Sequence, residues 1–195
     1  MVDRTMTIYF YGMRKVPYGC FSNFSHHGFQ LDGYWWPTSE HYFQAQKFVT
    51  TDPQWFDRIQ TVKTPKEATT LGRSRKHPLR EDWEQVKDDV MEKAVFQKFK
   101  THADLRTLLL ETGNSSIVEN SPIDAYWGCG ADGRGTNRLG QILRLVRVAE
   151  KVPRSRHFFD LLQRWRCLHE RGRNSIARST RLNWRTQQFR HKSNG

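Results

Sequence analysis

Between Pro37 and Gly113 the chain is cut into short helices by its own start and stop signals, and that spacing restricts it to a mostly helical fold. A helix is expected to begin near Thr38 or Ser39, directly after Pro37, and to run to about Val49. Asp52-Pro53 opens the next one: Asp52 can cap it, and a proline in the first turn lacks only an N–H that would have no helical partner. Thr64-Pro65-Lys66-Glu67 has the form of a capping box, and Gly72 suits the end of the helix it starts. Asp82-Trp83-Glu84-Gln85 begins a longer helix, with Val86, Val90, Ala94 and Val95 along its buried side, and the leucine-rich Ala103–Thr112 stops at Gly113. Strand signals are few. Thr7–Tyr11 is one candidate. Phe29-Gln30-Leu31 and Tyr34-Trp35-Trp36 flank Asp32-Gly33, a pair suited to a two-residue turn that needs positive φ at both positions. A last helix after Thr136 carries Leu139, Ile142, Leu143 and Val146 as an apolar stripe and closes the core near Glu150. The expected class is therefore α+β: a predominantly helical single domain with a small antiparallel β-sheet.

Charge divides the chain at the same place. From Lys151 onward there are 12 Lys and Arg against Asp160 and Glu170, so that segment carries +10 of the total +12 and the preceding body is nearly neutral. The expected organisation is one folded domain over residues 1–150 and a basic extension over 151–195. The extension holds one candidate amphipathic helix, His157–His169, followed by a polar stretch that reads as disordered. Its Lys and Arg interleave with Phe158, Phe159, Trp165, Trp184 and Phe189, a mixture suited to nucleic acid as well as to a solvated tail. No apolar run approaches the ~20 residues of a membrane helix, and Met1–Phe10 lacks the pattern of a secretory signal, so no membrane partner and a cytoplasmic location are expected. Cys20, Cys129 and Cys167 make no Cys-x-x-Cys pair, the histidines assemble no ligand set, and no Gly-x-Ser-x-Gly elbow occurs. Neither metal nor cofactor is expected.

Two segments carry residues suited to chemistry. Glu40, Gln44 and Lys47 are spaced i, i+4, i+7 and share one helix face, while Tyr42, Ala45 and Val49 point the other way, into the core. The same spacing describes an ordinary solvated stripe. The preceding Trp35-Trp36-Pro37 favours chemistry, because aromatics walling off a carboxyl group raise its pKa. Asp124-Ala125-Tyr126-Trp127-Gly128 runs into Gly130, Gly133 and Gly135, a glycine density that lets backbone amides approach an anion ahead of a helix N-terminus. A flexible loop reads the same way, and no Walker lysine follows. Trp83 is either a core residue or a platform for a planar base, and Arg73 is either solvated or a phosphate ligand.

These motifs together resemble the YbiA-like (NADAR) family. The matching stretches are Phe21-Ser22-Asn23-Phe24, Trp36-Pro37-Thr38-Ser39-Glu40-His41-Tyr42-Phe43-Gln44-Ala45-Gln46-Lys47-Phe48, Leu71-Gly72-Arg73 with Pro78-Leu79-Arg80 and Trp83, and Asp124-Ala125-Tyr126-Trp127-Gly128 through Asn137-Arg138-Leu139-Gly140. The resemblance covers about Thr7 to Glu150, with Cys129 as a departure and no counterpart for the tail. It implies an N-glycosidase that hydrolyses the ribosyl C–N bond of phosphoribosylamino-pyrimidine intermediates of riboflavin synthesis; other members of the superfamily remove ADP-ribose from guanine bases of nucleic acid. It also implies functional roles for the residues matching Glu40, Trp83, Asp124 and Trp127, with Lys47 as a further participant; the site expected here takes Glu40, Asp124 and Lys47 as catalytic and adds substrate contacts from Asn23, Trp36, Gln44, Arg73, Trp83, Trp127, Gly128, Gly130, Gly133, Gly135 and Asn137. A bond of this kind breaks with oxocarbenium character, so two carboxyl groups suit it: Glu40 for acid–base work and Asp124 to orient water or stabilise the cation. Alternatively, a ring-opened ribosylamine could exchange its nitrogen for the Lys47 amine as a Schiff base.

Overall fold

The computed structural model describes residues 6–151. In chain order the elements are β1 (Thr7–Phe10), a 3₁₀ turn (Tyr18–Phe21), β2 (Phe29–Leu31), β3 (Tyr34–Trp36), α1 (Ser39–Ala45), α2 (Pro53–Thr61), α3 (Pro65–Gly72), α4 (Trp83–Thr101), α5 (Ala103–Glu111), β4 (Ser116–Glu119) and α6 (Arg138–Lys151). The α+β class holds, and so does the small antiparallel sheet: Phe29, Gln30 and Leu31 pair with Trp36, Trp35 and Tyr34. Asp32 (φ 53°) and Gly33 (φ 83°) make the tight turn between them. The readings of the extension beyond Lys151 lie outside the described residues.

Local chemistry accounts for most helix boundaries. Asp52 accepts from the Trp55 N–H with Pro53 in the first turn. Thr64 and Glu67 form the reciprocal capping box. The long helix α4 starts at Trp83, and Val90, Ala94 and Val95 are buried along it. Gly113, at φ +59°, follows α5. All four stripe residues of α6 are buried. Two features differ from expectation. First, α1 ends at Ala45 instead of Val49, and Val49 is exposed rather than in the core. Second, β1 pairs in parallel with β4, a strand no sequence signal marked, in the register Thr7↔Ser116 through Phe10↔Glu119.

Aromatic residues dominate the core. Phe10, Phe21, Phe29, Trp36, Phe48 and Phe99 are fully enclosed, and burying such side chains is the main favourable term in folding. Two cations are enclosed with them. Arg147 Nη1 donates to Thr112 Oγ1 (2.7 Å) and to the Ser115 carbonyl (3.0 Å), pinning α6 to the turn before β4. Lys98 Nζ, on α4, donates to the carbonyls of Cys20 and Ser22 and to Ser25 Oγ. Three acceptors match the three donors of an ammonium group, and they fix the loop that delivers Asn23 to the site.

Candidate active site

A cavity of about 970 Å³ opens between α1, α3, α4, the end of β4 and the loops that follow β1 and β4. That volume lies within the range of small-molecule sites. Glu40, Gln44 and Lys47 line it from α1 and the turn after it, Asn23 from the loop after the 3₁₀ turn, Arg73 from beyond α3, Trp83 from the start of α4, and Asp124 and Trp127 from the loop after β4. The carboxyl groups of Glu40 and Asp124 thus share one cavity, and among the described residues neither forms an ion pair.

Glu40 is buried, and its carboxyl is held at one oxygen. Oε1 accepts from Gln44 Nε2 (2.7 Å) and from the Thr69 hydroxyl (2.7 Å) on α3. Burial raises its pKa above the usual carboxylate range; the two hydrogen bonds and the charges of Lys47 and Arg73 oppose that rise without cancelling it. Gln44 is itself clamped by Gly72, the last residue of α3 as expected: a Cβ there would collide with its side chain, so the glycine also serves close helix contact. Lys47 Nζ donates to the Gly72 carbonyl (3.2 Å) and lies 5.5 Å from the Phe43 ring centre and 5.6 Å from that of Trp83. Burial lowers its pKa to about 8, against the pull of Glu40.

Asp124 is built differently. Its Oδ1 accepts the N–H groups of Tyr126 (2.9 Å) and Trp127 (2.7 Å), and its own N–H donates to Ser121 Oγ (3.1 Å). One carboxyl oxygen is thereby spent on the loop turn, which orients the side chain. Tyr126, beside it, donates to Asp88 Oδ1 (2.6 Å), whose second oxygen accepts from Arg138 Nε (2.8 Å) on α6. The aromatic wall is centred on Phe43: Trp83 packs against it at 5.0 Å and Trp127 at 5.3 Å, both edge-on. Asn23 Oδ1 is buried, lines the cavity through its residue, and meets no donor among the described residues.

Several expected site residues lie elsewhere. Trp36 is fully buried in the core, packed on Tyr42 (5.1 Å) and Phe56 (5.6 Å), with Nε1 donating to the Leu31 carbonyl. Strand alternation turns it inward and leaves Trp35 outside, so the double tryptophan does not wall the carboxyl. Gly128, Gly130, Gly133 and Gly135 do not line the cavity. The amides of Gly130, Gly133 and Gly135 are consumed within the loop, on the carbonyls of Asp124, Gly130 and Cys129. The amides at the entry to α6 are consumed as well: Thr136 and Asn137 before it, and Arg138 and Leu139 in its first turn, donate to the carbonyls of Ala125, Gly128, Tyr126 and Trp127. No anion site forms at that helix N-terminus, because the preceding turn already fills it. A Cβ on Gly128 or Gly135 would strike backbone atoms, so these glycines allow the loop to fold on itself. Asn137, at φ 53°, braces β4 instead of a ligand: Oδ1 accepts the Glu119 N–H and Nδ2 donates to the Ile117 carbonyl.

Other lining residues were not visible in the sequence. Thr69 and Phe43 are placed by helix packing, Glu119 by the parallel strand pair, and Arg14, Lys15 and Lys87 bring positive charge to the same cavity.

Residues 9–149 match the NADAR domain. The chain is 52% identical over 143 residues to the "N-glycosidase Npun_R5314" of Nostoc punctiforme, covering 73% of this chain and 91% of that one. It is 51% identical over 130 residues to the "N-glycosidase YbiA" of Escherichia coli, covering 67% and 80%. The NMR structure of the E. coli protein YbiA matches with a TM-score of 0.68 at 48% identity, covering 75% of this chain and 85% of that chain. A third relative, the "Riboflavin biosynthesis protein PYRR, chloroplastic" of Zea mays, is 44% identical over 153 residues, which span 71% of this chain and 25% of that longer one.

Proposed function

The chain belongs to the NADAR domain family, and from that premise we propose that it hydrolyses the ribosyl C–N bond of phosphoribosylamino-pyrimidines, early intermediates of riboflavin synthesis. Its general activity is that of a hydrolase of N-glycosyl bonds, as in relatives about half identical over the two thirds or more of the chain that they match. The finer substrate reading draws on the relative named for riboflavin biosynthesis. The observation that carries it is the meeting of Glu40 and Asp124 in one aromatic-walled cavity that also holds several cations.

In this reading the ribose lies between the two carboxyl groups, with its anomeric carbon developing positive charge as the C–N bond lengthens. Glu40 moves a proton, and its fixed Oε1 leaves the other oxygen to do so. Asp124 stabilises the cation or aligns water. Asn23 Oδ1, a buried acceptor with no donor among the described residues, receives a ribose hydroxyl, which removes a penalty of about 1–3 kcal/mol carried by the empty site. The aromatic wall of Trp83, Phe43 and Trp127 faces the pyrimidine. Arg73, with Arg14, Lys15 and Lys87, meets the phosphate in place of the glycine loop.

The test is Glu40→Gln, assayed by product mass on a phosphoribosylamino-pyrimidine beside ADP-ribosylated guanine in DNA. A fall of about 10²–10⁴-fold in kcat is expected on the pyrimidine substrate. Wild-type turnover in the variant removes Glu40 from the mechanism, and preferential wild-type turnover of the ADP-ribosylated base moves the substrate class to nucleic acid.

A further inference from the structure

We infer that Glu119 is a third catalytic carboxyl group and the one that protonates the departing nitrogen, leaving Glu40 to take the proton from the attacking water; this rests on the N-glycosidase reading of the cavity. Glu119 ends β4 and lines the cavity with Glu40 and Asp124. Its backbone is fixed from both sides. The N–H donates to Asn137 Oδ1 (3.0 Å), and the carbonyl accepts from the N–H groups of Ser121 (2.8 Å) and Cys129 (2.9 Å). Its position is therefore set by the same loop that carries Asp124.

The surroundings of the two glutamates differ in kind. Glu40 has two donors on one oxygen and the charges of Lys47 and Arg73 nearby, all of which favour the carboxylate. Among the described residues no donor reaches the Glu119 carboxyl oxygens, and the charges acting on it are those of Asp124 and Glu40. Burial first, and then these two neighbours, push its pKa up to about 7. When carboxyl groups share a site, the proton settles on the one whose environment least supports a charge. Burial pushes both groups up, but donors and cations hold the charge of Glu40 while carboxylates face Glu119, so the acid role falls to Glu119. A neutral carboxylic acid at neutral pH is the proton donor that an amine leaving group requires, because an unprotonated amide anion departs far too slowly.

The step balances. The C1′–N bond breaks as the Glu119 proton moves to nitrogen, and the pyrimidine leaves as a neutral amine. Water adds to C1′ and its proton passes to the Glu40 carboxylate. Exchange with solvent then returns a proton to Glu119 and removes one from Glu40. This order of roles puts the acid on the strand and the base on the helix, with the anomeric carbon between them.

The experiment compares Glu119→Gln with wild type on two ribosides. One is a phosphoribosylamino-pyrimidine, whose nitrogen must be protonated to leave. The other is 4-nitrophenyl riboside 5-phosphate, whose nitrophenolate leaves unaided. Expected is a loss of about 10²–10⁴-fold in kcat on the first and a change of less than about threefold on the second. Glu119→Asp, which keeps an acid, recovers part of the activity on the first. Equal losses on both substrates would make Glu119 merely structural, and unchanged turnover of the first would remove it altogether. Wild-type protein that cleaves neither riboside would instead refute the N-glycosidase reading on which the inference stands.

Discussion

Gly72→Ala probes the site through a residue that has no side chain to offer it. A methyl group there would lie 2.8 Å from Gln44 Cβ and 2.7 Å from Gln44 Cδ, and closer still to Oε1. Ordinary carbon contacts need about 3.5–4.0 Å, so α3 must retreat from α1 by roughly 0.7 Å or Gln44 must leave its rotamer. Turning the far end of Gln44 aside does not relieve the clash at its Cβ. Overpacking of this kind costs about 1–3 kcal/mol, which corresponds to a fall of roughly 2–12 °C in Tm for a chain of this size. The chemical consequence is separate. Gln44 Nε2 and Thr69 Oγ1 both hold Glu40 Oε1 at 2.7 Å, and both contacts span the α1–α3 seam or abut it. Losing one hydrogen bond to a carboxylate is worth about 1.5–3 kcal/mol, or about one to two pH units.

The sign follows from which form is held. The donors favour ionised Glu40, so their loss raises its pKa further. A base must be ionised to work, so the acid limb of the pH–kcat/KM profile moves to higher pH, by about one unit. Gly33→Ala is the control. Gly33 sits at φ +83° with nothing near its Cβ position, so a side chain there strains the hairpin without touching the cavity. It is expected to lower Tm and leave the pH limb in place. A Gly72→Ala protein whose profile coincides with wild type, whatever its Tm, would refute the claim that helix packing at Gly72 sets the protonation of Glu40.

Three further outcomes are expected. Trp36→Ala should cost about 3–5 kcal/mol in urea unfolding and leave KM of the folded fraction unchanged, because the indole is a core group; a raised KM at full stability would return it to the site. Asn137→Ala should lose about 1–3 kcal/mol and also lower kcat, since the side chain braces both Ile117 and Glu119; a kcat equal to wild type would uncouple the brace from the chemistry. With direct hydrolysis, borohydride added during turnover leaves the protein mass unchanged between about pH 6 and 9. An amine attacks only when neutral, so an adduct on Lys47 that grows as pH rises through its pKa of about 8 would assign the reaction to the imine route instead.

Local signals made the elements legible, and long-range pairing hid part of the site. The Asp32-Gly33 turn, the Thr64 capping box and the α6 stripe each follow from residues within a few positions of one another, so they can be read directly. Glu40, Gln44 and Lys47 were legible for the same reason, because helical spacing places them on one side even though α1 stops before Lys47. Adjacency misled at Trp36: a residue four positions from Glu40 in the chain points away from it once the strand alternates. Glycine density misled similarly, since it reports that backbone comes close to something, and here that something is the loop's own backbone. Glu119 was illegible because β4 is four residues long and finds its partner more than a hundred residues earlier, with no turn between them to advertise the pairing. That pairing is what sets a third carboxyl beside the two that the motifs marked. A helix can carry a base and a loop can carry a charge on local information alone, but the environment that keeps an acid protonated depends on which distant carboxylates are brought to face it.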